Sequence, residues 1–389
     1  YHIDNSLHDT KKIQIDRIYR PYGYGLRTMK TIVVGHDHPI YIGLNYPTFF
    51  VADISANHDG LLSRAIDLIQ LAAEFGANAV KFQNFDADKI VSKKGFEAVK
   101  MGHQESWEKS VYDVYKAASI PFEWTPYLKT AADEVGVEYF TTPYDLDIVD
   151  WLDPYVNLYK IGSGDITWAE LLEKVAKKKK PIFLGTGASN LGEVGDAYGV
   201  IMWAQDYERD PDVVVMQCNT NYTAMPENMK HINLNVLTRY REVFPHAILG
   251  LSDHTFGHSS VLGAVALGAR VIEKHFTDDR RRSGPDHGFS MLPLEWKEMV
   301  YRTRDLESAL GRSIKGVCEN EKETHIIQRR CLRAKTSLPV GTVLSRDLLD
   351  VLRPAPEGSI SPMRMNEVLS RVLAKDVGEG EVITFSMLR

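Results

Sequence analysis

AILGLSDHTFGHSSVLGAVALGARVIEKHFT, residues 247–277, holds two apolar runs separated by a small-residue stretch with helical spacing, and each run closes on a histidine. A short continuous apolar run bounded by turn residues is what a strand buried on both faces requires, and a parallel sheet covered by helices buries its strands in that way. The same unit recurs upstream. FFVADI (49–54), AVKFQ (79–83), EYFTTP (138–143), LYKIG (158–162), PIFLGT (181–186) and VVVMQC (213–218) precede AILGLSDH (247–254) and VIEKHF (271–276), which makes eight runs. Segments of helical period lie between them, among them LLSRAIDLIQLAAEFG (61–76) and WAELLEKVAKK (168–178), and PLEWKEMVYRTRDLESAL (293–310) follows the last. Strand then helix, eight times over roughly 250 residues, predicts an α/β fold of the (β/α)8 TIM-barrel type, with an open doubly wound sheet as the alternative.

The barrel is expected over residues 49–310. Before it, residues 1–48 form an extension whose TIVVGHDHPIYIG (31–43) reads as a hairpin plugging the N-terminal end of the barrel, with a Tyr-rich arm ahead of it. An insert at about 92–107, long for a βα connection, is expected to fold over the top. A polar linker (311–324) leads to a small loop-rich β domain over 325–389.

A net charge of -6 spread along the chain argues against nucleic acid or a membrane surface as partner. Cys218, Cys318 and Cys331 are far apart and lack CxxC spacing, so neither a disulfide framework nor a structural zinc site is expected. No run approaches the roughly 18 apolar residues of a membrane span, and YHIDNSLHDTKK has no apolar signal core, so a cytoplasmic location is expected.

Catalytic groups of such a barrel come from the carboxyl ends of its strands. Those ends are rich in polar residues: Asp53, Asn57, Lys81, Gln83, Thr142, Lys160, Ser163, Thr186, Tyr222, Ser252, His254, Glu273 and His275. His254 and His275 end adjacent strands and are candidate ligands of one divalent metal, imidazole suiting Mn, Zn, Fe or Co. Lys81 and Lys160 lie inside apolar runs where lysine is rarely tolerated. Either they form structural ion pairs, or with the hydroxyls of Thr142 and Ser163 they cradle a phosphate or carboxylate. Asp53 and Glu273 are candidates for acid–base work or for ion pairs with those lysines.

NHDG (57–60), VKFQ (80–83), TTPYD (141–145), KIGSGD (160–165), GLSDHT (250–255), EKHFT (273–277) and GPDH (284–287) together resemble the sialic acid synthase family, the phosphoenolpyruvate-condensing nonulosonate synthases. RRCLRAKTSLPVGTVL (329–344) and RPAPEGSISP (353–362) resemble the antifreeze-like SAF domain that ends members of this family. The resemblance runs in order over about residues 30–389.

It implies that His254 and His275 hold a metal, manganese first, with magnesium or cobalt as alternatives. It places Lys81, Thr142, Lys160 and Ser163 on phosphoenolpyruvate. It puts Asp53, Tyr222, Glu273 and Asp286 at the reacting centre, and Asn57, Gln83 and Ser252 toward the sugar. Arg353 would reach the sugar's acyl group from the partner chain of a domain-swapped homodimer. The implied reaction joins phosphoenolpyruvate to an N-acylated mannosamine-type sugar, giving a 2-keto-3-deoxy nine-carbon acid and phosphate. N-acetylneuraminate ranks first as product and legionaminic or pseudaminic acid second. A Schiff-base aldolase using Lys81 or Lys160, and a carbohydrate-binding module, are the rivals from other classes.

Three positions depart from the family pattern. Asp53 stands where Glu is usual, which would set the carboxylate back by a methylene and leave a gap for water. Gly185 replaces a phosphate-holding Ser, leaving Thr186 or a backbone N–H as substitute, and NTNYTAM (219–225) replaces TSNYPAP.

Overall fold

Eight parallel strands close on themselves in the computed structural model, which describes residues 30–35, 39–99, 104, 107–205 and 212–389. They are β3 (Phe49–Asp53), β4 (Ala79–Asn84), β5 (Glu138–Pro143), β6 (Tyr159–Ile161), β7 (Ile182–Gly185), β8 (Val213–Cys218), β9 (Ile248–Asp253) and β10 (Val271–His275), and β10 pairs with β3 to shut the barrel. The expected TIM barrel is therefore present, with each apolar run forming one staff.

Alternation along the strands decides what faces inward. Phe49, Phe140 and Phe183, on alternate strands, meet edge-on inside the barrel at ring separations of 6.2 Å (Phe49–Phe183) and 5.5 Å (Phe140–Phe183). They fill one interior layer, as a closed barrel of this size requires. Toward the carboxyl ends, the inward positions include Asp53, Lys81, Lys160 and Glu273. Outside, helix Pro293–Leu310 covers the seam between the first and last staves. Its Trp296 is fully buried edge-on against Phe50 and Phe276, and Arg304 donates to the Thr48 carbonyl at 2.8 Å.

Ahead of the barrel, β1 (Thr31–Val34) and β2 (Ile40–Gly43) form the expected hairpin, and Ile32, Val34 and Ile42 join the main hydrophobic core. Lys30 pairs with Asp212, just before β8, at 2.7 Å. The Tyr-rich arm before Lys30 lies outside the described residues, as does part of the 92–107 insert; the described part of the insert holds one short helix, Lys93–Ala98. Trp107, the last residue of the insert, and Lys109 line a cleft together with barrel-top loops.

Residues 312–389 form a second compact unit. Its β11 (Cys331–Ala334) and β12 (Leu349–Leu352) pair antiparallel over a separate core that includes Leu332, Leu344, Ile360, Leu373 and Ile383. Among the described residues, no helix is long and apolar enough to cross a membrane.

Phe183→Ala would empty the centre of the aromatic layer. It should lower stability by about 3–5 kcal/mol in urea denaturation, and a loss well under 1 kcal/mol would show that the layer is not tightly packed.

Candidate active site

Four buried charges meet at the carboxyl end of the barrel. Lys81 Nζ lies 2.7 Å from Asp53 Oδ2 and 3.6 Å from Glu273 Oε1, and Lys160 Nζ donates to the same Glu273 oxygen at 2.7 Å. Ser252 Oγ donates to it too, at 3.1 Å. Burial works to lower the Lys81 ammonium's pKa, but the charges of Asp53 and Glu273 outweigh it and leave it above the ordinary value. Burial likewise works to raise the Glu273 carboxyl, and Lys160 and Lys81 prevail to bring it to about 2. Lys81 is thus held as a cation and Glu273 as an anion. Asp53 Oδ1 and Glu273 Oε2 remain buried without a hydrogen-bond partner among the described residues.

The two histidines stand beside this network, their ring centroids 5.3 Å apart. His254 Nδ1 lies 2.7 Å from the Asn219 carbonyl; a carbonyl only accepts, so Nδ1 carries the proton and Nε2 offers a lone pair. Burial, followed by the neighbouring His275, lowers the His254 pKa to about 3, which keeps the ring neutral. His275 Nε2 is 3.4 Å from Asp53 Oδ2, while its Nδ1 is buried without a hydrogen-bond partner among the described residues. Tyr222 packs 4.4 Å from the His254 ring, and Phe289 packs 4.8 Å from His275 and 5.9 Å from His254.

Opposite lie the hydroxyls expected to hold an anion. Thr142 Oγ1 is buried with no hydrogen-bond partner among the described residues, and Ser163 Oγ accepts from Gly187 N at 2.9 Å. Thr186 needs correction. Its hydroxyl donates to the Met216 carbonyl at 2.8 Å and accepts from Tyr240 OH at 3.0 Å, so it is committed to helix Val236–Val243 on the outer side of the sheet and is not free for a phosphate. The strand's pleat makes the reason plain, since Gly185 takes the inward position and Thr186 the next, outward one.

The rim is tied down by hydrogen bonds. Asp286 Oδ2 accepts from Ser55 Oγ at 2.5 Å and from Ala56 N at 3.1 Å, which fastens the loop after β10 to the loop after β3. Ser55, Asp59 and Gly60 all take positive φ there (46°, 53° and 73°), a sharp turn that only such anchoring holds for non-glycine residues. Asn57 Nδ2 donates to the Phe276 carbonyl and Ser290 Oγ, both at 2.9 Å, so its amide nitrogen braces this rim. His287 bridges Thr277 Oγ1 (2.8 Å) and Asp59 Oδ1 (2.7 Å). Gln83 is half-buried beside Thr142 in the β4–β5 register. Above them opens a cleft of about 780 Å³ whose wall includes Trp107, Lys109, Tyr222, Arg280, Arg282 and Phe289. Arg353 is exposed in the second unit.

Comparison with known proteins places this arrangement. The NeuB family model matches residues 68–315 and the SAF domain model residues 329–389. The chain belongs to the NeuB family. This member is 35% identical over 337 residues to N,N'-diacetyllegionaminic acid synthase of Campylobacter jejuni, covering 86% of this chain and 98% of that protein. It is 31% identical over 319 residues to human N-acetylneuraminate-9-phosphate synthase, covering 82% and 86% of the two chains. Its fold superposes on a crystal structure of a sialic acid synthetase from Leptospira borgpetersenii in complex with citrate, with TM-score 0.66 and 27% identity, over 77% of this chain and 96% of that one.

In this NeuB-family barrel the sequence gives no sign of one supporting device. Asp253 and Lys274, each next to a site histidine, pair in register across β9 and β10 and form a buried ion pair at 2.6 Å. Lys274 also donates to the Thr255 carbonyl at 2.6 Å, and Asp253 Oδ2 accepts from Ser260 Oγ at 2.6 Å. Nothing in the residues themselves distinguishes this outward lysine from the inward Lys160; the alternation of the strand does. Phe289 ends the short 3-10 turn His287–Phe289 and carries no pattern that marks it as the neighbour of two histidines.

Lys274→Met would leave Asp253 charged and buried without its ammonium, and should cost about 3–5 kcal/mol in denaturant unfolding. Adding Asp253→Asn should recover much of that loss. Two equally unstable variants would show that the pair acts through packing.

Proposed function

We propose that this protein is a nonulosonic acid synthase that joins phosphoenolpyruvate to the open-chain aldehyde of an N-acylated amino sugar and releases phosphate. The observation that carries the reading is the pairing, in a NeuB-family barrel, of a buried lysine–carboxylate network with two histidines at adjoining strand ends.

Atoms balance as follows. C3 of phosphoenolpyruvate bonds to the aldehyde carbon, whose oxygen takes a proton. Water adds at C2, and the C2–O bond to phosphate then breaks, leaving the 2-keto acid. Lys81 and Lys160 retain N–H donors beyond those given to Asp53 and Glu273, and these grip carboxylate and phosphate oxygens together with Thr142 and Ser163. Asp53 and Glu273, with their unpartnered oxygens, orient the attacking water and accept its proton.

His254 and His275 fit a divalent cation, manganese first. The Nδ1–H of His254 is fixed on a backbone carbonyl, the usual means of aiming the other nitrogen at a metal. Among the described residues no group of three or more His, Cys, Asp or Glu side chains converges as a metal cage, so substrate and water would fill the remaining positions. When bound, such a cation supplies Lewis-acid polarisation of the aldehyde oxygen.

N-acetylmannosamine, giving N-acetylneuraminate, is the first reading for the sugar; the likeness to a legionaminic acid synthase supports a 2,4-diacetamido sugar as the second. The active form is a homodimer in which Arg353 of one chain completes the partner's site, its guanidinium suited to an acyl carbonyl or sugar hydroxyls.

Three outcomes check this reading. Phosphate should be released from phosphoenolpyruvate only when one sugar of a panel of N-acylated mannosamines and 2,4-diacetamido-6-deoxy sugars is added, and bridging 18O should leave with the phosphate; retention of the label in the keto acid would contradict C–O cleavage. His254→Ala should abolish manganese binding followed by electron paramagnetic resonance while circular dichroism is unchanged. Finally, Arg353→Ala and His254→Ala chains, each inactive, should regain activity when subunits exchange, because one site of the heterodimer then carries neither lesion. Proven heterodimers without recovery would rule out a shared site.

A further inference from the structure

His275 is the last residue of β10 and still pairs in register with Asp53, whereas His254 stands one residue past the end of β9. The register between β9 and β10 stops one step earlier, at Lys274 opposite Asp253. The sheet ladder therefore does not carry His254. Lys274 Nζ donates to Asp253 Oδ2 and to the Thr255 carbonyl, both at 2.6 Å. Asp253 Oδ1 in turn accepts from Thr255 N at 3.1 Å and from Thr255 Oγ1 at 2.9 Å, while Oδ2 accepts from Ser260 Oγ at 2.6 Å. One ammonium group, carried by the residue before His275, thus grips the residues on both sides of His254.

The grip lies behind the histidines. Alternation along β10 turns Glu273 and His275 into the barrel and Lys274 to the helix side, where helix Ser259–Ala266 supplies Ser260. Lys274 and Asp253 are each only 2% exposed, so water does not compete for either head group. Charge-assisted bonds between buried groups are short, and separating the two charges would leave both unpaired in the interior. The segment 253–255 is thereby held in one place, and the bond from His254 Nδ1 to the Asn219 carbonyl is left to set the rotation of the ring.

Side chains that must converge on one ion have to be held to within about 0.5 Å. Two histidines on different strands need a cross-strand tie to be held so, and the ladder ends too early to provide it. We infer that Asp253 and Lys274 are positioning residues that fix the spacing of His254 and His275 from behind the sheet, so that the two rings stand ready for a divalent cation independently of its presence. Both face away from the barrel interior and act through the backbone of the histidines. Partners of this kind set the affinity of a site as well as its shape. The inference rests on the cation reading proposed above and adds to it the residues that pre-form the pair.

Titration of the full chain with Mn2+, followed by electron paramagnetic resonance, tests this on three variants. Asp253→Asn combined with Lys274→Met removes both charges together, and Ser260→Ala keeps the ion pair but removes one bond to Asp253. Leu171→Ala truncates a buried side chain of helix Ala169–Ala176 and controls for general loosening. The double variant should raise the Mn2+ dissociation constant about ten- to a hundredfold and broaden the signal of the bound ion, Ser260→Ala should raise the constant about two- to fivefold, and Leu171→Ala should leave both unchanged. A folded double variant that binds like the wild type overturns the inference, as does a control weakened as much as the double variant. If the double variant does not fold, Ser260→Ala decides, and wild-type affinity there overturns the inference. Wild-type protein that binds no Mn2+, or a His254→Ala chain that binds it undiminished, overturns the cation reading and this inference with it. Binding lost in His254→Ala but intact in the double variant overturns this inference alone.

Discussion

An ammonium group inside a closed barrel must meet an opposite charge or lose its proton, and this chain buries two of them at one level. Leaving either unpaired costs several kcal/mol, so the positions of Asp53 and Glu273 are as constrained as those of the lysines. The strand registers answer that constraint. Asp53 pairs with Lys81 across β3 and β4, and with His275 across the closing seam of β10 and β3; Glu273 pairs with Ser252 across β9. A one-residue slip of β3 would turn Asp53 to the helix side and strand Lys81 in the interior. Charge pairing inside therefore reinforces the register that the aromatic layer below and Trp296 outside also favour. Two cations balance two anions, and the site presents spare donors without a surplus of positive charge.

The eight staves were legible because each is a continuous apolar run, and a parallel barrel demands that pattern. The polar strand ends were legible for the converse reason: Lys81, Lys160 and Glu273 interrupt those runs where solvent does not reach. The partners were not. Whether Lys160 meets Glu273 depends on two strands more than a hundred residues apart closing one cylinder, and the residue types alone left ion pairing and anion binding both open. The structure shows the ion pairs, and the lysines' remaining donors still allow the anion. Thr186 and Asp253 share a second limit. Both adjoin inward positions, and only the pleat shows that each looks outward, one to Tyr240 and the other to Lys274.

Asp165 shows a third limit, since a carboxyl's partners are invisible in sequence and their absence more so. KIGSGD marks the residue as part of a polar turn, but whether a lysine or an arginine lies opposite is decided by β5 and its successor Tyr144. Half-burial with no partner among the described residues is what separates this carboxyl from Asp286 in the loop after β10, which is equally polar in sequence yet engaged through its Oδ2 by Ser55 and Ala56.

The two departures from the family pattern inside the barrel have local physical accounts. The shorter side chain of Asp53 still reaches Lys81 at 2.7 Å and comes within 3.4 Å of His275, so no bridging water is needed to connect the carboxylate with the lysine. Glycine at 185 is coupled to Ser163: a Cβ there would stand 2.9 Å from Ser163 Oγ, closer than a methyl group tolerates, and 3.2 Å from the Ile161 carbonyl, a tight contact. A serine at 185 would therefore have to displace the Ser163 hydroxyl, which is now held by Gly187 N. The chain keeps one hydroxyl at this point of the cradle instead of two, and supplies the nearby backbone N–H that fixes it.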